Sequence, residues 1–390
     1  MTWIKPWVRV PHSPPHTYKK LGIYIDTQFF YTIIFLDSTL NISLSFPTVL
    51  LVLISGSKNT DFKIMEVMNM VAQNQSSGIF QSQPIMRNVL ISLIPLTLGA
   101  VFLFGLRVLT LMVVVAVAGT ATEYIFVKKR GQKVTEAALV TSALFTLSLP
   151  VATPYWVAIV GIVFGILFAK EVFGGFGRNV FNPALAGRMF LYVSFPEHLT
   201  ASWNHNATSF PGGFVQYITP ILDTVSEATP MPAFRSTGEM LSTNEVLWGY
   251  TSGSIGETSA ILIILGGVFL LTRKITDWRP MLAALIGFLS LHSLLYMIGV
   301  DSVPNPLYGL MTGGFLFTAV YFVSDPVTSP KTVPAKWAYG ILIGVITVTI
   351  RHFGIFIEGA AFSVLIMNTF VPIMDEGVKA LKASGKKVKA

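Results

Sequence analysis

Apolar runs recur along the chain from about residue 86 to residue 374, separated by short polar stretches. A helix that crosses the roughly 30 Å hydrocarbon core of a bilayer needs about 20 mostly apolar residues. On that length criterion the pattern predicts about ten spans, near residues 86–105, 108–127, 136–150, 155–173, 181–196, 258–273, 279–298, 305–324, 335–351 and 358–374. Helices satisfy their own backbone hydrogen bonds in lipid, so the predicted fold is an all-α integral membrane protein.

The polar stretches divide these spans into two groups of five. We expect the first group in residues 84–196, an extracytoplasmic segment in 197–257, the second group in 258–376 and a basic cytoplasmic tail in 377–390. Residues 1–83 form an N-terminal extension whose structure the pattern does not define.

Within that extension, residues 28–54 are apolar but interrupted by polar side chains. They fit an extra span, an interfacial helix or a loop packed on a partner. Residues 61–73 have helical periodicity, which favours a helix on the inner membrane surface. No short apolar core with a small-residue cleavage site opens the chain, so a cleavable signal peptide is not expected.

Composition agrees with a membrane protein and narrows its chemistry. Only 12% of residues are charged, against about 25% in soluble domains. The chain has no cysteine, which excludes disulfides, thiolate iron–sulfur clusters and cysteine zinc sites within it. Its six histidines are scattered without ligand spacing, so no metal site is predicted, and any redox chemistry needs an organic cofactor.

The basic residues are distributed unevenly between the two sides of the membrane. If the first span starts in the cytoplasm, the predicted outer loops contain only Arg107, Arg235 and Arg351, and the inner loops and tail hold most of the other Lys and Arg residues of the span region. The positive-inside rule then places both chain ends in the cytoplasm and residues 197–257 outside. In a membrane chain the net charge of +8 reflects this topology, and we do not expect nucleic-acid binding.

The two groups of spans share a sequence repeat. Ser148–Pro154 (SLPVATP) is similar to Ser324–Pro330 (SDPVTSP), and at the same offset Asn182–Pro196 aligns with Glu358–Pro372. Because each group has an odd number of spans, the second repeat should be inverted, with a site where short or broken helices meet near the midplane. Chance similarity between proline-rich loops is the alternative, and a fold does not by itself assign a function.

One candidate motif is KEVFGGFGRNVFNPALAGR, from Lys170 to Arg188. Its Asn182-Pro183 pair predicts a helix start capped by Asn182, and free amides at such an end can hold an anion or a polar ring edge. Arg188 lies inside a span, which is costly unless it has a partner. A tight turn with glycines for close packing explains the same residues equally well, and the spacing excludes a Rossmann or P-loop fingerprint.

Two further sets of residues are chemically suggestive. The outer sequence from Asp223 to Pro230, DTVSEATP, is on residue types alone a Ser/Thr-rich turn. Carboxylates within spans are candidates for an ion or proton route, although those near span ends also fit solvated caps. The candidates are Glu123, Glu136, Glu171, Asp325, Glu358 and Asp375.

Four stretches resemble a known family: FGGFGRNVFNPALAGR, GSIGETSA, SDPVTSP and EGAAFSVLIMNTFVPIMD. They are similar to the membrane flavoprotein subunit of the Rnf and Nqr respiratory complexes. This subunit is RnfD in the ion-translocating ferredoxin:NAD oxidoreductase and NqrB in the sodium-pumping NADH:quinone reductase. The resemblance covers about residues 84–378 and implies two inverted five-helix repeats with a fold similar to urea channels.

The resemblance gives the outer turn a function. In that family a flavin transferase joins FMN through a phosphoester to the last Thr of an Asp-x-x-Ser/Thr-Gly-Ala-Thr pattern. Here Asp223, Ser226, Ala228 and Thr229 match, while Glu227 replaces the glycine and adds a negative charge beside the incoming phosphate. We therefore expect covalent FMN on Thr229.

The family also implies further ligands and partners. A second, non-covalent flavin (riboflavin) is expected near Arg178, Asn179 and Asn182. Glu136 and Asp375 match acidic positions implicated in sodium handling, and with Asp325 they form the predicted ion pathway. The expected partners are the flavin transferase, membrane lipid and other subunits of the complex, including iron–sulfur and flavin subunits. The chain is not expected to be catalytic alone, and no catalytic residue is assigned.

The short connection around Arg107 and the Arg351-His-Phe-Gly sequence favour RnfD over NqrB. Two other classes remain open: a small-solute channel or transporter without redox chemistry, and a structural membrane anchor. Neither of these needs a flavin attachment motif, so Thr229 discriminates between them and the redox subunit.

Overall fold

The computed structural model of the protein describes residues 80–200, 212–215, 229–354 and 359–387. The predictions for residues 28–54 and 61–73, and those for Asp223, Ser226, Ala228 and Glu358, lie outside these residues.

The first repeat has five helices. They are α1 (Pro84–Phe104), α2 (Arg107–Lys129), α3 (Glu136–Leu147), α4 (Tyr155–Ile166) and α5 (Pro183–Ser194). A π-helical turn, Leu167–Glu171, continues α4, and a parallel bridge pairs β1 (Phe80–Gln81) with β2 (Val134–Thr135). Each of the five predicted spans therefore corresponds to a helix.

The polar segment between the repeats contains short helices. These are α6 (Pro196–Thr200), a 3₁₀ turn (Gly212–Val215), α7 (Pro230–Thr237) and α8 (Thr243–Trp248). A capping box starts α8, because the Ser242 side chain accepts from the Glu245 amide and the Glu245 side chain accepts from the Ser242 amide.

The second repeat comprises α9 (Ala260–Thr272), α10 (Trp278–Ile298), α11 (Pro306–Met311), α12 (Phe315–Tyr321), α13 (Val333–Phe353) and α14 (Gly359–Lys387). The prediction of one continuous span over 305–324 is wrong, since the structure has two short helices there. Gly313 and Gly314 separate them with φ angles of 66° and 71°, in the left-handed region that glycine adopts readily. In addition, α14 extends past the predicted span end into the basic tail.

Five of these helices, α1, α2, α10, α13 and α14, are long and apolar enough to cross a membrane. Helices α3 and α9 are apolar but shorter, with 12 and 13 residues. The described part of the chain is thus a helical, multi-pass membrane protein, which confirms the predicted class. The finer prediction of ten complete crossings is not established by helix length.

Several helix contacts recur at equivalent positions in the two groups of helices. In the first repeat α1 contacts α3, α2 contacts α3 and α4, and α5 contacts α3 and α4. In the second, α9 contacts α12, α10 contacts α12 and α13, and α14 contacts α12 and α13. These pairs correspond between the two groups, whereas the contacts of α1 with α2 and of α3 with α4 have no counterpart of similar extent in the second group. The equivalent helices α1 and α9 also contact each other, as do α5 and α14, so the two repeats meet along matching elements.

Helices α10 and α13 approach closely through glycines. A Cβ added at Gly344 would lie 2.3 Å from the Phe288 amide nitrogen, and one at Gly287 would lie 2.2 Å from the Ile341 carbonyl oxygen. Helix association in lipid depends on such close backbone contact. The pairing therefore fixes the positions of α10 and α13, the two long helices on either side of the break between α11 and α12.

Candidate functional site

A small cavity lies where the start of α5 meets the loop after α12. It has room for a few water molecules, about 60 Å³, and apolar side chains of α1, α3 and α9 form part of its wall. Its polar lining consists of Thr141, Lys170, Asn179, Asn182, Thr276, Tyr321 and Asp325. The cavity thus joins polar groups from both repeats in an apolar surrounding.

Asn182 connects the two repeats at this cavity. Its Oδ1 accepts from the amides of Ala184 and Leu185 at 3.0 and 3.3 Å, which confirms the predicted cap of α5. Its Nδ2 donates to Asp325 Oδ2 at 2.9 Å. Asp325 also accepts from the Val327 amide and the Thr328 hydroxyl. An uncharged amide therefore orients a half-buried carboxylate toward the cavity.

A buried ion pair lies at the cavity wall, because Lys170 is part of the lining. Lys170 Nζ is 2.5 Å from Glu123 Oε2, and the two side chains are 2% and 0% exposed. Thr135 completes the group, because its hydroxyl accepts from Lys170 at 2.9 Å and donates to Glu123 at 2.6 Å. The π-helical turn carries Lys170, and such insertions are frequent at functional sites.

Two of the three predicted ion-pathway residues make contacts at helix starts. Glu136 accepts from the Gln83 amide at 2.7 Å and pairs with Arg87 at 2.7 Å. Asp375 accepts from the amides of Lys331 and Thr332, and so caps the start of α13. Neither carboxylate lines the cavity. Of the three predicted residues, Asp325 is the one that the structure places there.

The three predicted flavin-binding residues near α5 do not all lie at the cavity. Asn179 and Asn182 line the cavity, whereas Arg178 is exposed and does not. Pockets for ligands of flavin size usually have volumes of about 300–1,000 Å³. At about 60 Å³ the cavity is smaller than this range. The second flavin near Arg178, Asn179 and Asn182 stays a prediction.

The break between α11 and α12 is stabilised by two buried charges. Arg351 donates to the carbonyl oxygens of Gly309 and Gly313 at 2.7 and 2.9 Å, at the C-terminal end of α11. The Glu257 carboxylate lies against Gly314 at the start of α12, where an added Cβ would be 2.6 Å from the carboxyl carbon. A cation at carbonyl ends and an anion at amide ends both suit the helix dipole.

Glu257 also pairs with Arg188, the buried arginine of α5. Arg188 Nη1 is 2.6 Å from Glu257 Oε1, and Nη2 donates to Ser254 at 3.2 Å. This confirms the expectation that Arg188 has a partner. The pair joins the fifth helix of the first repeat to the GSIGETSA sequence that opens the second repeat.

Thr229 is the N-cap residue of α7 and is half-buried. Its side chain makes no capping hydrogen bond. An N-cap threonine normally accepts from the amide of the second or third helical residue. Here the third residue is Pro232, which has no amide hydrogen. The Thr229 hydroxyl is thus positioned at a helix start without serving as its cap.

These observations define a multi-pass helical membrane protein whose packed helices surround buried charges and a small cavity. The model of the NQR2, RnfD, RnfE family matches residues 75–383. The chain belongs to this family of membrane subunits, which confirms the resemblance seen in the four sequence stretches.

Individual relatives show the same relationship. The chain is similar to the RnfD subunit of the Na⁺-translocating ferredoxin:NAD⁺ oxidoreductase complex of Acetobacterium woodii, with 34% identity over 302 residues, 76% of this chain and 88% of that protein. It is similar to the NqrB subunit of the Na⁺-translocating NADH-quinone reductase of Klebsiella pneumoniae strain 342, with 36% identity over 289 residues, 72% of this chain and 67% of that protein. The corresponding Pseudoalteromonas atlantica protein is 37% identical over 288 residues, 71% of this chain and 68% of that protein.

Proposed function

We propose that this chain is the membrane subunit of an Rnf-type ion-translocating oxidoreductase complex and that it carries FMN on Thr229. Membership of the NQR2, RnfD, RnfE family is the main support for this proposal. The Rnf assignment is supported by coverage, because the alignment includes 88% of the RnfD relative and 67% of an NqrB relative. The two-residue connection between α1 and α2, Gly105–Leu106, also matches the short connection expected of RnfD.

The Thr229 hydroxyl provides the oxygen for the phosphoester. Pro230 and Pro232 restrict the backbone on its C-terminal side, so the attachment point is held at a defined helix start. A bound flavin supplies reversible electron transfer, and the protein positions it and sets its electrostatic surroundings. Because the chain has no cysteine, thiolate iron–sulfur clusters of the complex must be held by partner subunits.

The cavity supports a cation route through this subunit. Asp325 contributes a carboxylate oriented by Asn182 at 2.9 Å, and the cavity admits water. Hard cations such as Na⁺ bind oxygen ligands from carboxylates, carbonyls and water. We assign Asp325 as the cation-binding carboxylate, and Glu136 and Asp375 as groups that hold helix starts in place.

Thr229→Ala should abolish electron transfer through the complex. The variant is expressed within the complete complex, together with the flavin transferase, and the rate from reduced ferredoxin to NAD⁺ is measured in membranes. We expect loss of essentially all activity, because the ester oxygen is removed. Thr237→Ala, in the same helix and exposed, is the matched control and should retain activity. A Thr229→Ala complex that assembles and keeps the wild-type rate would exclude this role.

Asp325→Asn should weaken the cation dependence of the same reaction. The substitution preserves the side-chain volume but removes a full charge from a half-buried site, where charge interactions are stronger than in water. We expect the cation concentration for half-maximal rate to rise at least about tenfold, equivalent to about 1.4 kcal/mol. Asp375→Asn is the control and should leave this concentration unchanged. An unchanged value in Asp325→Asn would contradict the assignment.

A further inference from the structure

Two buried histidines of the second repeat form a pair that the proposed function does not use. His292 lies in α10 and His352 lies near the end of α13. His352 Nε2 is 3.3 Å from His292 Nδ1, and the ring centroids are 5.0 Å apart. The residues are 8% and 0% exposed for His352 and His292, respectively. Ionisable groups in such surroundings are functional candidates.

The outer nitrogen of each ring contacts a backbone carbonyl. His292 Nε2 is 3.0 Å from the Pro304 oxygen, and His352 Nδ1 is 3.1 Å from the Ser302 oxygen. A carbonyl oxygen only accepts hydrogen bonds, so both of these nitrogens must carry hydrogen. A neutral imidazole has one hydrogen, which would leave His292 Nδ1 and His352 Nε2 as two bare acceptors facing each other.

One additional proton removes this conflict. A buried acceptor without a donor costs about 1–3 kcal/mol, whereas a proton on either facing nitrogen creates a charge-assisted N–H···N hydrogen bond. We propose that His292 and His352 form a proton-binding site that holds one shared proton between their facing nitrogens. Binding takes up one H⁺ from solvent, forms one N–H bond and adds one positive charge, with no oxidation or reduction.

The charged groups around the pair oppose the bound proton, so the site holds the proton only while the two rings are in contact. Arg351, in the same helix as His352, interacts electrostatically with both rings, and Arg235 of α7 interacts electrostatically with His352. Nearby, Tyr308 of α11 interacts electrostatically with Glu245 of α8, and Asp301 directly precedes Ser302, whose carbonyl contacts His352. Burial of the two rings is the largest effect that opposes a bound proton, and both guanidinium groups oppose it as well. If the rings separate and water enters, each ring is satisfied while neutral, and the proton is released.

The pair is also linked to the helix break. Gly309 lies against the His292 ring, where an added Cβ would be 2.4 Å from Cε1. Arg351 adjoins His352 in sequence and binds the carbonyls of Gly309 and Gly313. Movement of α10 relative to α13 would therefore change both the proton site and the end of α11. The proton site does not depend on flavin attachment.

Nitrogen-15 NMR of the full chain tests the site directly. His12, His16, His198 and His205 are replaced by glutamine, and the remaining two histidines are isotopically labelled in lipid nanodiscs. Spectra are taken about one pH unit above the ordinary histidine pKa of about 6.5. We expect hydrogen on three of the four ring nitrogens on average, with one hydrogen distributed over the two facing nitrogens. Two fully bare nitrogens, or none, would overturn the proposal.

The His352→Gln variant distinguishes a proton shared by the two rings from a proton held by His292 alone. The glutamine amide can donate a permanent N–H to His292 Nδ1, so the variant needs no additional proton. We expect neutral His292 in this variant at the same pH. If His292 remains an imidazolium in His352→Gln, the proton belongs to one ring and the paired site is excluded.

Discussion

Lys170→Met is expected to lower the free energy of unfolding by about 3–5 kcal/mol, the typical cost of removing one partner from a buried ion pair. The Glu123 side chain is fully buried at 0% exposure, so it cannot recover hydration when the ammonium group is removed. Thr135 donates its amide and hydroxyl to Glu123, but two neutral donors do not balance a full charge.

The measurement is a denaturant titration of the purified full chain in detergent. Lys336→Met is the matched control, since Lys336 pairs with Asp277 at 2.8 Å but both side chains are about one-fifth exposed. Burial opposes ionisation of Asp277, but hydrogen bonds, chiefly from Lys336, outweigh it and keep the pKa of Asp277 below its ordinary value. We expect a cost of at most about 1 kcal/mol there. Equal losses in the two variants would contradict the large contribution expected of the buried pair.

Arg188→Met is expected to cause a similarly large loss, about 3–5 kcal/mol. Arg188 is 3% exposed and pairs with Glu257 at 2.6 Å. Without the guanidinium, Glu257 retains the start of α12 as its partner, and a helix start stabilises an anion by only about 0.3–1 kcal/mol. The consequence is an uncompensated carboxylate next to the helix break.

A double-mutant cycle isolates this interaction. The double variant Arg188→Met with Glu257→Gln removes both charges, so it should be more stable than Arg188→Met alone. The coupling between the two substitutions should be about 0.5–3 kcal/mol, the range for residues in contact. Additive losses would show that the pair is not energetically coupled, and the role assigned to Glu257 at the break would be wrong.

The positions of the helices are predictable from the sequence because lipid imposes one local requirement, an apolar run of sufficient length. The break at Gly313 and Gly314 is not predictable, since the surrounding residues LYGLMTGGFLFTAV include no charged side chain and glycine is common within membrane helices. The break is caused by tertiary contacts. Arg351 and Glu257 come from other parts of the chain. Arg351 donates to the carbonyl end that the break exposes, and the Glu257 carboxylate lies against the start of α12.

The contacts of the candidate site are likewise predictable from the sequence only where they are local. The Asn-Pro dipeptide predicts the cap at Asn182 because capping depends on neighbouring residues. The requirement for a partner at Arg188 is also predictable, but the identity of Glu257, 69 positions away, is not. Lys170 is missed as a cavity residue because its partner Glu123 is 47 positions away and a π-helical turn changes the register on which a helical face would be judged.

Ultraviolet fluorescence of the denatured polypeptide on a gel tests the central claim, covalent flavin on Thr229, most directly. Wild type, Thr229→Ala and Thr229→Ser are each co-expressed with an active flavin transferase. We expect a fluorescent band for wild type, none for Thr229→Ala, and retained fluorescence for Thr229→Ser, because serine keeps the hydroxyl oxygen needed for the ester. A dark wild-type band beside a fluorescent control substrate, or a fluorescent Thr229→Ala band, would contradict covalent attachment at this residue.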